Sequence, residues 1–269
     1  MIQLVRNKNY FTQSYHNNSF VSIPNRGILS KIVYCLNHHV KGSGSYSMKP
    51  YTTVSTVDLS VDEWRQLRQR GIGGSDAAHI VLSPEQFRYA DPAKIFRDKI
   101  TSLSPDEESL PCTIGHELEP LCARLFERET GRHVRRMNQL LVSLSHPFMI
   151  ANIDRKLCGV AEGLECKCIG QMSARRRIAD PETGESRWID IFESGDAGTI
   201  FTYKPEWYIQ IQHYMSVTGW DKWHLAVIVL NNRFYHYEVP RDEELINILR
   251  NAENEFWKLV QERENIWEV

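Results

Sequence analysis

The sequence predicts an α/β (α+β) protein, with helices on both sides of a central mixed β-sheet. Three observations predict this class. Capped segments of helical period fill residues 60–130, and the period then shortens towards the two-residue alternation of strands over 139–168. A last pair of strand-like runs, 223–230 and 233–239, is followed by one long apolar stripe of helical spacing.

The N-terminal segment is of a different kind from the rest. Residues 1–50 hold six basic side chains (Arg6, Lys8, Arg26, Lys31, Lys41, Lys49) and no acid, and close on Lys41-Gly42-Ser43-Gly44-Ser45, a flexible linker composition. No sustained helical or strand period runs through them. They are expected to be an appendage, residues 1–55, to a domain spanning 56–269; an organelle transit peptide and a true start at Met48 remain alternatives.

Ser60-Val61-Asp62-Glu63 is a capping box and opens a short helix carrying Trp64 and Leu67. Gly71 stops it, and Gly73-Gly74-Ser75-Asp76 launches a second helix through Ile80. Asp91-Pro92 starts a third, with Asp as N-cap and Pro in the first turn. Residues 101–111 read as a polar loop. An amphipathic helix over 113–130 turns Leu118, Leu121, Cys122 and Leu125 inward and closes at Gly131. Strands are expected at 139–144, 148–153 and 158–168, with turns at His146-Pro147 and 154–156, and a long connection over 170–200. A helix over 206–217 precedes the last two strands, joined through Asn231-Asn232, a hairpin signal because Asn tolerates positive φ. Leu245, Ile248, Leu249, Ala252, Phe256, Leu259 and Val260 form the stripe of the closing helix.

The chain of 269 residues is 42% hydrophobic and 25% charged, which excludes a disordered or fibrous protein. Its longest apolar run, residues 225–230, is far short of the roughly 20 residues that span a membrane, so no membrane association and a cytoplasmic location are expected. The six cysteines offer only one close pair, Cys166-x-Cys168, and read as free thiols in a reduced compartment rather than as a cluster site.

The most informative string is Asp154 followed by Glu165-Cys166-Lys167. In a strand, Glu165 and Lys167 share a face and Cys166 points the other way. If Asp154 ends the preceding strand, two carboxylates and an ammonium converge. Two hard oxygen ligands on a rigid sheet suit Mg2+, while the lysine can stabilise charge developing on a phosphate. A solvated charged hairpin edge produces the same string. Glu117 and Glu119, two apart on a helix, lie about 200° apart and cannot serve one site together. Gln210 and Tyr214 share a helix face, and Arg68 with Ser75 after two glycines has the chemistry of a phosphate cradle. Three basic clusters stand out against a body of 26 basic and 34 acidic side chains over 51–269: Arg65, Arg68 and Arg70; Arg132, Arg135 and Arg136; and Arg175, Arg176 and Arg177 near Lys204.

Together these strings resemble the lambda-exonuclease and YqaJ-type viral recombinase family of the PD-(D/E)xK nuclease superfamily. The matching text is WRQLRQRGIGGSDAAHI from Trp64, GHELEPLCARLFERETG from Gly115, HPFMIANIDRKLCGVAEGLECK from His146 and YIQIQHYMSVTG from Tyr208, in the family's order. The resemblance implies a restriction-endonuclease-like core and a Mg2+-dependent deoxyribonuclease, with Mn2+ able to substitute. It implies a 5′-3′ exonuclease on linear duplex DNA that leaves single-stranded tails for recombination. An endonuclease of the same superfamily and a non-catalytic DNA-end-binding module are the alternatives. By position, Glu119, Asp154, Glu165, Lys167 and Gln210 are the implied catalytic residues, with Asp154, Glu165 and Glu119 on the metal. Arg68 and Ser75 fall where the terminal phosphate is held; beyond the resemblance, Arg175, Arg176 and Arg177, as a basic cluster, and Tyr214 are further expected DNA contacts. Double-stranded DNA ends, a single-strand annealing protein and a homo-trimer are the implied partners.

Overall fold

Alternating side chains on two neighbouring parallel strands organise the molecule. The computed structural model describes residues 49–101, 109–179, 183–193, 195 and 197–265. Strands β1 (Tyr51–Ser55), β2 (Val134–Arg135), β3 (Gln139–Ser143), β4 (Ile150–Ala151), β5 (Arg155–Leu157), β6 (Glu162–Ile169), β7 (Arg175–Ala179), β8 (Ser186–Asp190), β9 (Lys222–Val229) and β10 (Arg233–Pro240) alternate with helices. The helices are α1 (Val61–Gln69), α2 (Gly74–Val81), α3 (Pro92–Ile100), α4 (Leu110–Thr130), α5 (Ala197–Tyr203), α6 (Pro205–Thr218) and α7 (Glu243–Asn265).

The main sheet has the order β10-β9-β6-β5-β2, with β6 and β9 parallel and the other pairs antiparallel. This is the mixed sheet that the pattern predicts. On one face Leu164, Ala226 and Ile228 meet Cys122, Ala123 and Phe126 of α4. On the other, Trp223, Leu225 and Val227 meet Ile200 and Phe201 of α5 and Ile211 and Met215 of α6. Burial of the sheet on both faces follows from the near-continuous apolar run of β9. Gly163 lies opposite Trp223 in the parallel register, and a Cβ there would fall inside the indole. A glycine at this point is what lets the aromatic ring cover the start of β6.

A second sheet, β1-β3-β4, is antiparallel and abuts α6. The helix starts follow their expected chemistry: Ser60 and Glu63 form the capping box of α1, and the Asp91 carboxylate accepts from Lys94 N at α3. Gly131, with φ of 70°, ends α4 in the left-handed region. Helix α6 is buried nearly all round, so its polar residues are paired: Gln212 donates to the Pro240 carbonyl, and His213 bridges Glu253 and the Ile150 carbonyl.

Several boundaries differ from expectation. Tyr51–Ser55, placed in the appendage by composition, is a strand paired along its length with β3, and Tyr51, Thr52 and Val54 are buried. The folded body therefore includes residues 51–55, and the appendage cannot extend to 55; the rest of that expectation, residues 1–48, lies outside the described residues. Residues 155–156, expected in a turn, belong to β5, because Arg155 is drawn inward to a carboxylate far away in sequence; the chain turns at 158–161 instead. The connection over 170–200 is not irregular: it holds a 3-10 turn (Gln171–Ala174), the β7-β8 hairpin and α5. Most of the expected polar loop, residues 102–108, lies outside the described residues, and α4 begins at Leu110. Among the described residues no helix is long and apolar enough to cross a membrane.

Candidate active site

Strand β6 carries Glu165 and Lys167 on the face towards α6, and Cys166 and Cys168 on the face towards α4. The two thiols pack beside Cys122 in the apolar layer, and the neighbouring thiol together with burial pushes the Cys166 thiol up, which keeps it protonated and inert. Asp154 sits just before β5, and its Oδ2 accepts from the Cys166 amide at 2.8 Å. That bond fixes the aspartate against β6, beside Glu165.

Lys167 Nζ donates to Glu165 Oε1 at 2.6 Å and to Gln210 Oε1 at 2.9 Å. Gln210 Nε2 donates in turn to the Tyr214 hydroxyl at 2.9 Å. Burial disfavours the Lys167 ammonium, but Glu165 and Asp154 outweigh it and hold the lysine protonated. Burial also pushes the Asp154 carboxyl well above the usual range, and Glu165 and Glu119 push it further. The Glu165 carboxyl is raised by the same burial, against the pull of Lys167. Its Oε2 is buried and has no hydrogen-bond partner. Two mutually repelling carboxylates, one with an orphaned oxygen, form a site deficient in positive charge, and that donor set fits a hard divalent cation held by Asp154 and Glu165.

Glu119 stands apart from this pair. It is bound by Arg155, which also donates to the Asp154 carbonyl at 2.7 Å, and Arg136 approaches it at 3.9 Å. Among the described residues no three His, Cys, Asp or Glu side chains are grouped to hold one ion, so the expected three-carboxylate set is not assembled. Glu119 nevertheless lines the same cleft of about 430 Å3 as Asp154, together with Trp64, His116, Arg136 and Asn152, whereas Glu117 is exposed. Arg155 carries no signal in the sequence because its partner lies 36 residues away.

Tyr214 does not face DNA as expected. It is 5% exposed, and its hydroxyl supports Gln210. Gln210 is thus held between the Lys167 ammonium and the Tyr214 hydroxyl. A Cβ on Gly74 would lie 2.6 Å from the Tyr214 ring and 3.0 Å from Gln210. The absence of a side chain there lets the N-terminus of α2 rest on the Gln210-Tyr214 pair, which links the expected cradle of Arg68 and Ser75 to the lysine.

In that cradle Arg68 Nη2 donates to Ser75 Oγ at 3.2 Å, and Ser75 is exposed at the helix start. Beneath them, Asp76 accepts from the buried Lys99 ammonium at 2.7 Å and from Gly73 N at 3.0 Å, with Arg68 at 3.8 Å. Lys99 also donates to the Arg68 carbonyl at 3.0 Å. Neither Asp76 nor Lys99 was expected at the site. Burial pushes the Asp76 carboxyl up, but Lys99 and Arg68 prevail and hold it below its ordinary value. The stability it contributes is thus present at neutral pH and is lost as pH falls through the acidic range. Lys99→Met is expected to destabilise the fold by about 2–3 kcal/mol in urea unfolding, near the low end for a broken buried pair because Arg68 and Gly73 still face the carboxylate. Asp76→Asn in the Lys99→Met background should recover part of that loss.

The arginine clusters separate in space. Arg132 is bound to Glu162 at 2.6 Å and to His224 at 3.0 Å, Arg136 lines the cleft, and Arg135 is exposed. In β7 alternation sends Arg176 one way, towards Tyr203 and Lys204, and Arg175 and Arg177 the other.

The model of the YqaJ-like viral recombinase domain matches residues 63–221 of the chain. The chain belongs to that family. Over 203 residues it is 32% identical to the uncharacterized protein YqaJ of Bacillus subtilis (strain 168), covering 74% of this chain and 56% of that protein. The chain thus spans little more than half of that relative's length. Among solved structures, its fold is similar to an alkaline exonuclease from Laribacter hongkongensis, with a TM-score of 0.58, 19% identity, and coverage of 77% of this chain and 96% of that one. The same enzyme in complex with dAMP matches equally. A phage related exonuclease from Haemophilus somnus 129PT matches with a TM-score of 0.52 and 14% identity over 74% of this chain and 99% of that one. The YqaJ-family chain therefore shares its fold with these exonuclease structures.

Proposed function

We propose that this YqaJ-family chain is a metal-dependent deoxyribonuclease that degrades linear duplex DNA from its 5′ ends and leaves single-stranded tails for recombination. The observation that carries this reading is the contact of two sites across Gly74: the Asp154-Glu165-Lys167 group on one side and the Arg68-Ser75 cradle on the other. A phosphate at the cradle would mark a strand end, and the acidic pair is linked to it through Gln210, which packs against Gly74 and binds Lys167.

Asp154 and Glu165 would hold Mg2+, or Mn2+ in its place, and Glu119 adds negative charge at the cleft wall. The cation supplies Lewis-acid neutralisation of charge on the scissile phosphate. Lys167, kept protonated by Glu165 and Asp154, stabilises negative charge as water attacks phosphorus and the bond to the leaving oxygen breaks. Gln210 and Tyr214 hold the ammonium in place, which limits the reorganisation needed at that moment. The family resemblance adds a single-strand annealing protein as partner and a homo-trimer as the working assembly.

Linear duplex DNA and covalently closed circles of the same sequence, incubated with Mg2+ or with EDTA, test the proposal. Linear DNA should release nucleotides from its 5′-ended strands and leave single-stranded tails with Mg2+ but not with EDTA, and circles should persist. Equal cleavage of circles would make it an endonuclease of the same superfamily, and end binding without cleavage in Mg2+ or Mn2+ would make it a non-catalytic module.

A further inference from the structure

The strand that carries Glu165 and Lys167, β6, runs through Gly170 and the 3-10 turn directly into the β7-β8 hairpin. In the hairpin register Arg177 lies opposite Trp188 and Arg175 opposite Asp190, so these four residues share a face, while Arg176, Ile178, Arg187 and Ile189 share the other. The inner face meets the body: Ile178 and Ile189 are half-buried, and the Arg176 guanidinium lies 5.8 Å from the centre of the Tyr203 ring.

The outer face is open. Trp188 is 58% exposed, and no other tryptophan among the described residues is exposed. An indole on a two-stranded ribbon covers no core there, so packing does not account for it. Arg175 and Arg177 beside it are exposed. A cleft of about 340 Å3 opens at this point, its lining including Arg175, Trp188, Asp190, Glu193, Arg233 and Tyr235. Asp190 is tied into the hairpin by accepting from Phe192 N at 3.0 Å.

We propose that this cleft is a subsite for an unpaired nucleotide of single-stranded DNA, with the base stacked on Trp188 and the flanking phosphates met by Arg175, Arg177 and Arg233. The chemistry favours a single strand over a duplex. In a duplex the base faces are covered by their neighbours and only edges and phosphates are offered, whereas an unpaired base presents a π-face that an exposed indole can take. The cleft volume lies in the range of pockets that hold a small-molecule-sized group, such as one nucleotide. The assignment rests on the nuclease reading, since a strand processed at Lys167 has the hairpin as its neighbour.

Binding of a fluorescein-labelled oligothymidylate and of a blunt duplex to the full chain, by anisotropy in EDTA, tests the assignment. Trp188→Ala should weaken oligothymidylate binding about tenfold, as removal of one base-aromatic stack does, and weaken duplex binding much less. Trp188→Phe should restore most of the affinity, and Arg175→Ala should lower the salt slope by about 0.7, the share of a single neutralised phosphate on a single strand. Thermal melting by circular dichroism confirms that the surface variants are folded. Unchanged oligothymidylate binding in Trp188→Ala and Arg175→Ala would overturn the assignment and leave the patch to a protein partner, with nuclease activity on linear duplex untouched by that result. Equal weakening on both DNAs would also overturn it, by making Trp188 a duplex contact. If the wild-type chain bound neither DNA, the subsite and the nuclease reading would fall together.

Discussion

Asp154→Ala, Glu165→Ala and Lys167→Ala each hydrolyse linear duplex DNA about a thousandfold more slowly than the wild type, or are inactive, in a Mg2+-dependent assay of acid-soluble nucleotide release. The three side chains act as a unit, so losing one leaves the others without a complete binding surface for cation and phosphate. Their effects on stability should differ in sign. Asp154 and Glu165 are buried carboxylates whose pKa values are both raised, and removing the Asp154 charge relieves their repulsion, so Asp154→Asn should melt at or above the wild-type temperature. Lys167→Ala takes away the ammonium that Glu165 and Gln210 face and should melt lower, so Lys167→Met with Glu165→Gln is the informative double change. Glu119→Gln should cost activity while keeping a hydrogen bond to Arg155, and Glu117→Ala, on the exposed side of α4, should stay active. Wild-type rates in Asp154→Ala, or the reverse order for the two glutamates, would move the site elsewhere.

A linear duplex bearing 5′-phosphate is digested roughly ten- to a hundredfold faster than the same duplex with 5′-hydroxyl, and Arg68→Ala removes most of that difference. A terminal phosphomonoester carries about −1.5 to −2 charges near neutral pH, against about −1 for an internal phosphodiester, so a guanidinium beside an exposed hydroxyl at a helix start distinguishes the two. Asp76 at 3.8 Å offsets part of the Arg68 charge, which fixes the guanidinium's position at some expense of affinity. Ser75→Ala should therefore have the smaller effect, a few-fold, as suits one hydrogen bond. Quenched-flow or gel comparison of the two end chemistries measures the ratio directly. If Arg68→Ala slowed both substrates equally, the cradle would be a general DNA contact and not an end sensor.

Strand alternation alone puts Glu165 and Lys167 on one face, and the fold keeps them there, with Gln210 brought to the same lysine. The helix starts at Ser60, Gly73 and Asp91 are equally legible, because capping chemistry is local. Other features are hidden for one physical reason. Arg155 reads as a turn residue until Glu119 is beside it, and Tyr214 reads as a DNA contact until Gly74 is found pressed against its ring. Lys99 and Asp76 are ordinary surface charges in sequence, 23 residues apart, and a buried pair in the fold. Tyr51–Ser55 has the look of a tail because its strand partner, Gln139–Ser143, lies far along the chain.

The sequence by itself determined the class of fold, the shared strand face of Glu165 and Lys167, and the helix starts at Ser60, Gly73 and Asp91. Each depends on chemistry within a few residues, on strand or helix period and on capping, and such rules act before tertiary contacts form. Only the tertiary structure decided how these parts are used. It gave Glu119 to Arg155, turned Gln210 and Tyr214 into a support for Lys167, joined the cradle to the catalytic group through Gly74, and divided three consecutive arginines between two faces of a hairpin. Those outcomes depend on buried charge and close packing between distant segments: a buried ion must find a partner wherever the chain brings one, and no local pattern records which segment that will be.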